Sequence, residues 1–268
     1  MKCKTPSLIK TPDGFQRLVS CGHCVHCWIN RQLAWTIRIM LEASDSVSSS
    51  FVTLTYADHL RPGTLDYSHI TQFLRRYRRI IRRPVRYFCV GEYGKQSGRE
   101  HWHMMLFGIG PLSITEPLTR LWSENGEPLG YTLAGTVTPA SARYVAKYCL
   151  KTGPNPAANV VHMSRRPGIG LVQMERIGQY LGEREPRLDT MPSAWRIGRT
   201  LHPLDKSSRE AVLRGYEKAG GVIRRKPSIL RADFESRVYA FVTDPDAALK
   251  QQVLSFEAID RQESSYAL

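Results

Sequence analysis

The feature that most limits the fold is a pair of apolar runs around a short polar connection: VRYFCVGEYG (85–94), KQSGRE (95–100) and HWHMMLFGI (101–109). Both runs are rich in aromatic and β-branched residues and bounded by glycine, which marks strands rather than helices. The connection suits a hairpin and is too short for the crossover that parallel neighbours need. An antiparallel pair is therefore built in, and a purely parallel, doubly wound sheet is excluded.

The other segments fit around that pair. FVTLTY (51–56) and YTLAGTVT (131–138) read as strands. Residues 67–82 read as a helix whose apolar stripe is Ile70, Phe73, Leu74, Tyr77, Ile80 and Ile81. Helices are also expected over 27–43, 114–124, 140–151, 171–185 and 205–219. Residues 44–50 read as a loop, and 152–170, rich in Pro, Gly and Arg, as a loop that leaves the core. The stretch beyond about 226 carries little pattern. The expected class is α+β, a mainly antiparallel sheet with packed helices and a helical C-terminal extension. The expected units are a Cys-rich segment over 1–30, a main domain over 31–170 and an extension over 171–268.

With 268 residues, 42% of them hydrophobic, the chain can bury a sizeable core. No apolar run approaches membrane-spanning length, and MKCKTPSLIK lacks the apolar centre of a signal peptide, so a soluble, intracellular protein is expected. The net charge of +14 points to phosphate-bearing partners, with binding that weakens as salt rises. RRYRRIIRR (75–83) concentrates that charge, although a solvated helix face accounts for it equally well.

Cys3, Cys21, Cys24 and Cys27 lie early in the chain, and the CGHCVHC spacing suggests metal rather than disulfide in an intracellular protein. Four thiolates would satisfy tetrahedral zinc, with His23 and His26 as competing ligands. Cys89 and Cys149 fall in apolar periodic segments and read as buried small hydrophobes.

Strand side chains alternate between faces, so His101 and His103 point the same way and Trp102 points away. The hairpin returns Glu92 towards His101. Two imidazoles and a carboxylate leave open positions and suit Mg²⁺ or Mn²⁺ acting on phosphate oxygens; zinc also fits. Solvated histidines and a carboxylate at a strand end are the alternative. On a helix over 140–151, Ala142, Val145, Ala146 and Cys149 form one stripe, and Tyr144, Lys147, Tyr148 and Lys151 share the opposite arc of about 100°. A phenol can break a phosphodiester and store its energy, because aryl oxide leaves readily. Adjacent lysines favour phenolate, and two tyrosines permit two successive transfers.

HWHMMLFG and YVAKYCLK, with FVTLTY upstream, resemble the HUH endonucleases, and in particular the replication-initiation proteins of gokushovirus-type microviruses. CGHCVHCWINRQLAW, GEYG and SRRPGIG (164–170) are similar to further features of that group, so the resemblance spans roughly 3–170. It implies a rolling-circle initiator that nicks and rejoins origin DNA through a 5′-phosphotyrosine. On this resemblance His101, His103 and Glu92 hold a divalent metal (Mg²⁺ or Mn²⁺), and Tyr144 and Tyr148 are nucleophiles. Lys147 assists, Lys151 is added from the helical wheel, and Arg165 and Arg166 hold DNA phosphate or form a loop salt bridge. The implied partners are single-stranded and replicative-form origin DNA in the bacterial cytoplasm. Since the sequence has no Walker-type loop, unwinding falls to a host helicase and synthesis to a host polymerase. The rival reading is a zinc-stabilised nucleic-acid-binding protein without catalysis.

Overall fold

The computed structural model describes residues 3–10, 16–94, 97–149, 160–197 and 199–224. In chain order the elements are β1 (Ser7–Lys10), β2 (Gln16–Val19), α1 (Val25–Ser44), β3 (Ser49–Thr55), α2 (Tyr67–Ile81), β4 (Arg86–Tyr93) and β5 (Glu100–Phe107). They continue with α3 (Pro111–Leu121), β6 (Ser123–Glu124), β7 (Glu127–Pro128), β8 (Thr132–Thr136), α4 (Pro139–Ala146) and β9 (Val160–Met163). The last are α5 (Leu171–Arg184), β10 (Arg187–Leu188), β11 (Ala194–Ile197), β12 (Thr200–Pro203), α6 (Lys206–Lys218) and β13 (Val222–Ile223).

The fold is α+β. Its centre is a sheet of order β8-β3-β5-β4-β9 in which every neighbouring pair is antiparallel. Strand alternation divides the side chains between two layers. One face carries Val52, Leu54, Cys89, Trp102, Met104 and Leu106 under α2 and α3. The other carries Phe88, Val90, Met105 and Phe107 under Ile39 of α1 and Ala142, Val145 and Ala146 of α4. Trp102 is fully buried on the first face and donates to the Tyr56 hydroxyl at 3.1 Å.

Local chemistry sets the helix ends. Asp66 accepts from the Ser68 N–H and starts α2. Arg82, at φ 53°, turns the chain out of it. Ile70, Phe73, Leu74 and Tyr77 are buried, but Ile80, assigned above to the same stripe, is half exposed in the last turn.

Residues 152–170 do not all leave the core as the composition suggests. Val160–Met163 form the edge strand beside β4, and Ile169 is fully buried. A sequence of Pro, Gly and Arg hides this because the strand is short and the docking after it uses backbone. The Gly170 N–H donates to Glu42 Oε2 at 2.7 Å, and the Ile169 carbonyl accepts from Arg38 Nε at 2.9 Å. Gly170 has φ +72°, and a Cβ there would lie 2.4 Å from the Arg38 carbonyl oxygen, so no other residue fits.

Beyond this docking, α5 and α6 pack closely and cover α1 through Ile37, Met174, Leu204, Ala211 and Val212. Arg38 also pairs with Asp205, the residue that caps α6, at 2.9 Å. Helix α1 thus runs through residue 30 and lies under both the sheet and the helices expected after 171. The weakly patterned stretch from 226 lies outside the described residues.

Candidate active site

The register of the central hairpin places Glu92 opposite His101 and Val90 opposite His103, while Thr53 of β3 pairs with His103 from the other side. Glu92, His101 and His103 therefore share the face that α1 and α4 cover. Gly91, the first glycine of GEYG, has a packing reason. A Cβ there would sit 2.8 Å from the Trp102 ring on the opposite face. Its absence lets the indole lie flat against the strand that carries Glu92.

A single carboxylate oxygen is the meeting point. Glu92 Oε1 lies 2.7 Å from His101 Nε2 and 3.1 Å from His103 Nε2. The far side of each ring is held: His101 Nδ1 lies 3.1 Å from the Arg99 carbonyl oxygen, and His103 Nδ1 lies 3.1 Å from Thr53 Oγ1. A carbonyl can only accept, so His101 Nδ1 carries its proton and Nε2 is the nitrogen turned to Glu92. Phe51 stacks on His103 at 5.4 Å between ring centroids and fixes its plane. Glu92 and His103 are buried, whereas His101 is partly open.

The tyrosines reach this cluster from α4. Pro139 occupies the first turn, and Thr138 and Ser141 exchange a reciprocal capping pair at 3.1 and 2.8 Å. The helix start is thereby fixed, and with Ala142, Val145 and Ala146 buried on the sheet Tyr144 faces the cluster. Its hydroxyl donates to Glu92 Oε1, and the Tyr148 hydroxyl donates to the Tyr144 oxygen at 3.3 Å. Lys147 Nζ lies 3.8 Å from the Tyr144 ring centroid and 4.5 Å from that of Tyr148. The expected helix over 140–151 is shorter: α4 ends at Ala146 and Lys147–Cys149 form a 3₁₀ turn. The tighter turn still keeps both hydroxyls together. Cys149 is only partly buried, and Lys151 lies outside the described residues.

Charge follows from this geometry. Burial pushes the Glu92 carboxyl up, but contacts from His101, His103 and Tyr144 outweigh it and hold the group well below the carboxylate range. Glu92 in turn raises His101 above the ordinary imidazole value, against the opposing effect of burial. Burial, and then the bond to Glu92, push the Tyr144 phenol up.

Ligand atoms of Glu92, His101 and His103 all lie within 4.8 Å of one another. Mixed N/O donors with their outer atoms already tied down fit a divalent cation. A second group with the same closeness is Cys3, Cys21, Cys24 and Cys27; neither His23 nor His26 belongs to it. Arg165 and Arg166 are exposed and come no nearer than the far end of the sheet. They follow Ser164, whose N–H donates to the Tyr87 carbonyl, five residues down β4 from Glu92 and so about 17 Å along the strand. Thr53 and the Arg99 carbonyl, which orient the two imidazoles, were not singled out by sequence reasoning. The strand pairing of FVTLTY against HWHMMLFG is the signal that could have found Thr53.

Fold and site together define a sheet-based centre with two imidazoles, a carboxylate and paired phenols. Residues 49–153 match the family model of the replication-associated protein ORF2. The chain is 32% identical over 168 residues to the replication-associated protein ORF4 of Chlamydia phage 1, covering 52% of this chain and 41% of that protein. It is 30% identical to VP4 of Bdellovibrio phage phiMH2K (49% of this chain, 47% of that protein) and 30% to ORF2 of Spiroplasma virus 4 (50% and 48%), both named replication-associated proteins. The resemblance to microvirus replication proteins read from the motifs thus extends over about half of the chain. The chain spans less than half the length of these relatives. No solved structure gives a significant match. Among the described residues no helix is long and apolar enough to cross a membrane.

Proposed function

We propose that the chain initiates rolling-circle replication by cutting and rejoining origin single-stranded DNA through a covalent 5′-phosphotyrosine. The observation that carries this reading is the convergence on Glu92 Oε1 of two imidazole nitrogens and the Tyr144 hydroxyl, with the Tyr148 hydroxyl 3.3 Å further out. His101, His103 and Glu92 would hold Mg²⁺ or Mn²⁺, which when bound polarises the scissile phosphate.

Tyr144 Oη attacks phosphorus, and the bond from phosphorus to the 3′ oxygen breaks. The phenol loses its proton and the departing oxygen gains one, leaving a 3′-hydroxyl and a tyrosyl ester of the 5′ phosphate. Glu92 is held too far down its titration range to keep that proton, so its hydrogen bond aims the phenol rather than deprotonating it. Lys147, seated over both rings, favours the phenolate and the charge that develops in flight. Tyr148 then repeats the attack at the next origin copy. The free 3′-hydroxyl displaces Tyr144 from its phosphate and closes a circle. Unwinding and synthesis fall to a host helicase and polymerase in the bacterial cytoplasm, with origin DNA as the partner that the +14 charge attracts.

The test uses single-stranded oligonucleotides tiling the replicative form, Mn²⁺ and a denaturing gel. The wild type forms a covalent protein–DNA adduct. Tyr144→Phe and Tyr148→Phe each alter the products, and the double variant loses the adduct by about 10³-fold or more. An adduct that survives the double change, or tight binding without adduct under any divalent metal, overturns the reading; the latter favours a non-catalytic binder.

A further inference from the structure

The proposal for Glu92, His101 and His103 leaves the second ligand group unused. The β1–β2 hairpin pairs Ser7 with Val19 and so brings Cys3 and Cys21, which flank it, to one end. Cys24 is the N-cap of α1, and Cys27 lies three residues on, on the same face of the first turn. The Sγ atoms of Cys3 and Cys24 are 3.8 Å apart and those of Cys21 and Cys27 are 3.9 Å apart. All four sulfurs lie within 4.8 Å of one another. A tetrahedron with metal–sulfur bonds of about 2.3 Å has edges of about 3.8 Å. Disulfide sulfurs would sit at about 2.0 Å, and all the described cysteines are free.

The surroundings favour thiolate over thiol. The Cys21 N–H points at Cys3 Sγ and the Cys24 N–H at Cys21 Sγ, each at 3.3 Å, and the Thr5 hydroxyl donates to Cys21 Sγ at 3.3 Å. Amide and hydroxyl donors aimed at sulfur are the outer contacts that a negatively charged tetrathiolate centre needs. Cys3 and Cys27 are buried, so four unligated thiols would crowd a core position with little apolar contact in return.

We infer that Cys3, Cys21, Cys24 and Cys27 bind one structural zinc ion that clasps the β1–β2 hairpin to the start of α1. All four positions on the metal are filled by protein, which leaves none for substrate. The clasp supports the catalytic face indirectly. Eight residues beyond Cys24, about 12 Å along α1, Gln32 donates to the Arg143 carbonyl of α4 at 2.9 Å, beside Tyr144.

The test is made on the full chain purified under reducing conditions. Zinc per chain is measured after dialysis against EDTA, and the metal is exchanged for Co²⁺. Expected are one zinc per chain, intense visible bands of tetrahedral cobalt and near-ultraviolet sulfur-to-metal charge transfer. Cys27→Ser loses the zinc; should that variant not fold, Cys27→His retains it with a shifted cobalt spectrum. The double variant His101→Ala/His103→Ala keeps both zinc and spectrum, which separates this centre from the proposed catalytic one. Folded wild type without zinc, with all four thiols freely reactive or paired as disulfides, overturns the inference. So does loss of zinc in the double histidine variant.

Discussion

The two ligand clusters of this molecule use opposite solutions to the same geometric problem. The cysteine group draws four soft donors from a hairpin and a helix start, with backbone N–H groups filling in behind. The Glu92 group draws three harder donors from adjacent strands and turns its remaining side to two phenols. The first is saturated, the second left open. A saturated centre can only hold chain segments together, whereas an open one can take a phosphate. The difference originates in the elements. A β-hairpin joined to a helix closes around a point, while neighbouring strands present donors on one flat face.

The most forceful way to break this contrast is to remove one donor from the open side. His103→Ala should cut cleavage of an origin oligonucleotide by about 10²–10³-fold while leaving zinc content unchanged. Glu92→Gln keeps the shape but removes the charge, and should lower Mn²⁺ affinity together with cleavage. Rates at saturating Mn²⁺ separate the two effects. Equal rates in wild type and His103→Ala would mean that the histidine pair is structural.

Proton competition gives a smaller effect that sharpens the same contrast. In metal-free protein Glu92 raises His101, and this stabilisation is complete below the ordinary imidazole pKa of about 6.5 and fades as pH rises through the folded value. Glu92 is depressed, so its share is complete above about 4.3 and fades as pH falls. The metal-free cluster is therefore most stabilising between about pH 4.3 and 6.5. A cation must displace the His101 proton, so the rise in Tm on adding Mn²⁺ should be small in that window and grow above it. In Glu92→Gln, His101 should titrate nearer its ordinary value, as read by NMR. A Mn²⁺ shift independent of pH would sink this account.

The sequence made the strand pairing legible because period two and a short connection leave little choice. His101, His103 and Glu92 then fall on one face by alternation alone. The Tyr144 and Tyr148 pairing was legible from four-residue spacing, although the helix ends earlier than periodicity suggests. Apolar period says nothing about where an α-turn tightens to a 3₁₀ turn. What stayed hidden was docking by backbone atoms. Gly170 against Arg38, and Ile169 under the sheet, come from a stretch whose composition reads as loop. The glycines of GEYG and SRRPGIG look functional in the sequence, yet Gly91 and Gly170 are explained by a neighbouring ring and a neighbouring backbone. Long-range pairing such as Glu42 with Arg86 has no local signature at all.

The smallest expected effect concerns the link between the two clusters. Gln32 is part-exposed, and its single bond to the Arg143 carbonyl is the side-chain contact that joins α1 to the catalytic helix at this level. Gln32→Ala should cost about 0.5–1 kcal/mol in urea unfolding, the value of one net hydrogen bond near solvent. Zinc content and Mn²⁺ affinity should stay as they are, because neither ligand set is touched. If the clasp at the start of α1 supports the tyrosines through this contact, the variant should also slow adduct formation a few-fold at saturating metal. An unchanged rate would mean that α4 is held by Ala142, Val145 and Ala146 against the sheet alone, and that the cysteine centre stabilises its own end of the molecule without reaching the phenols.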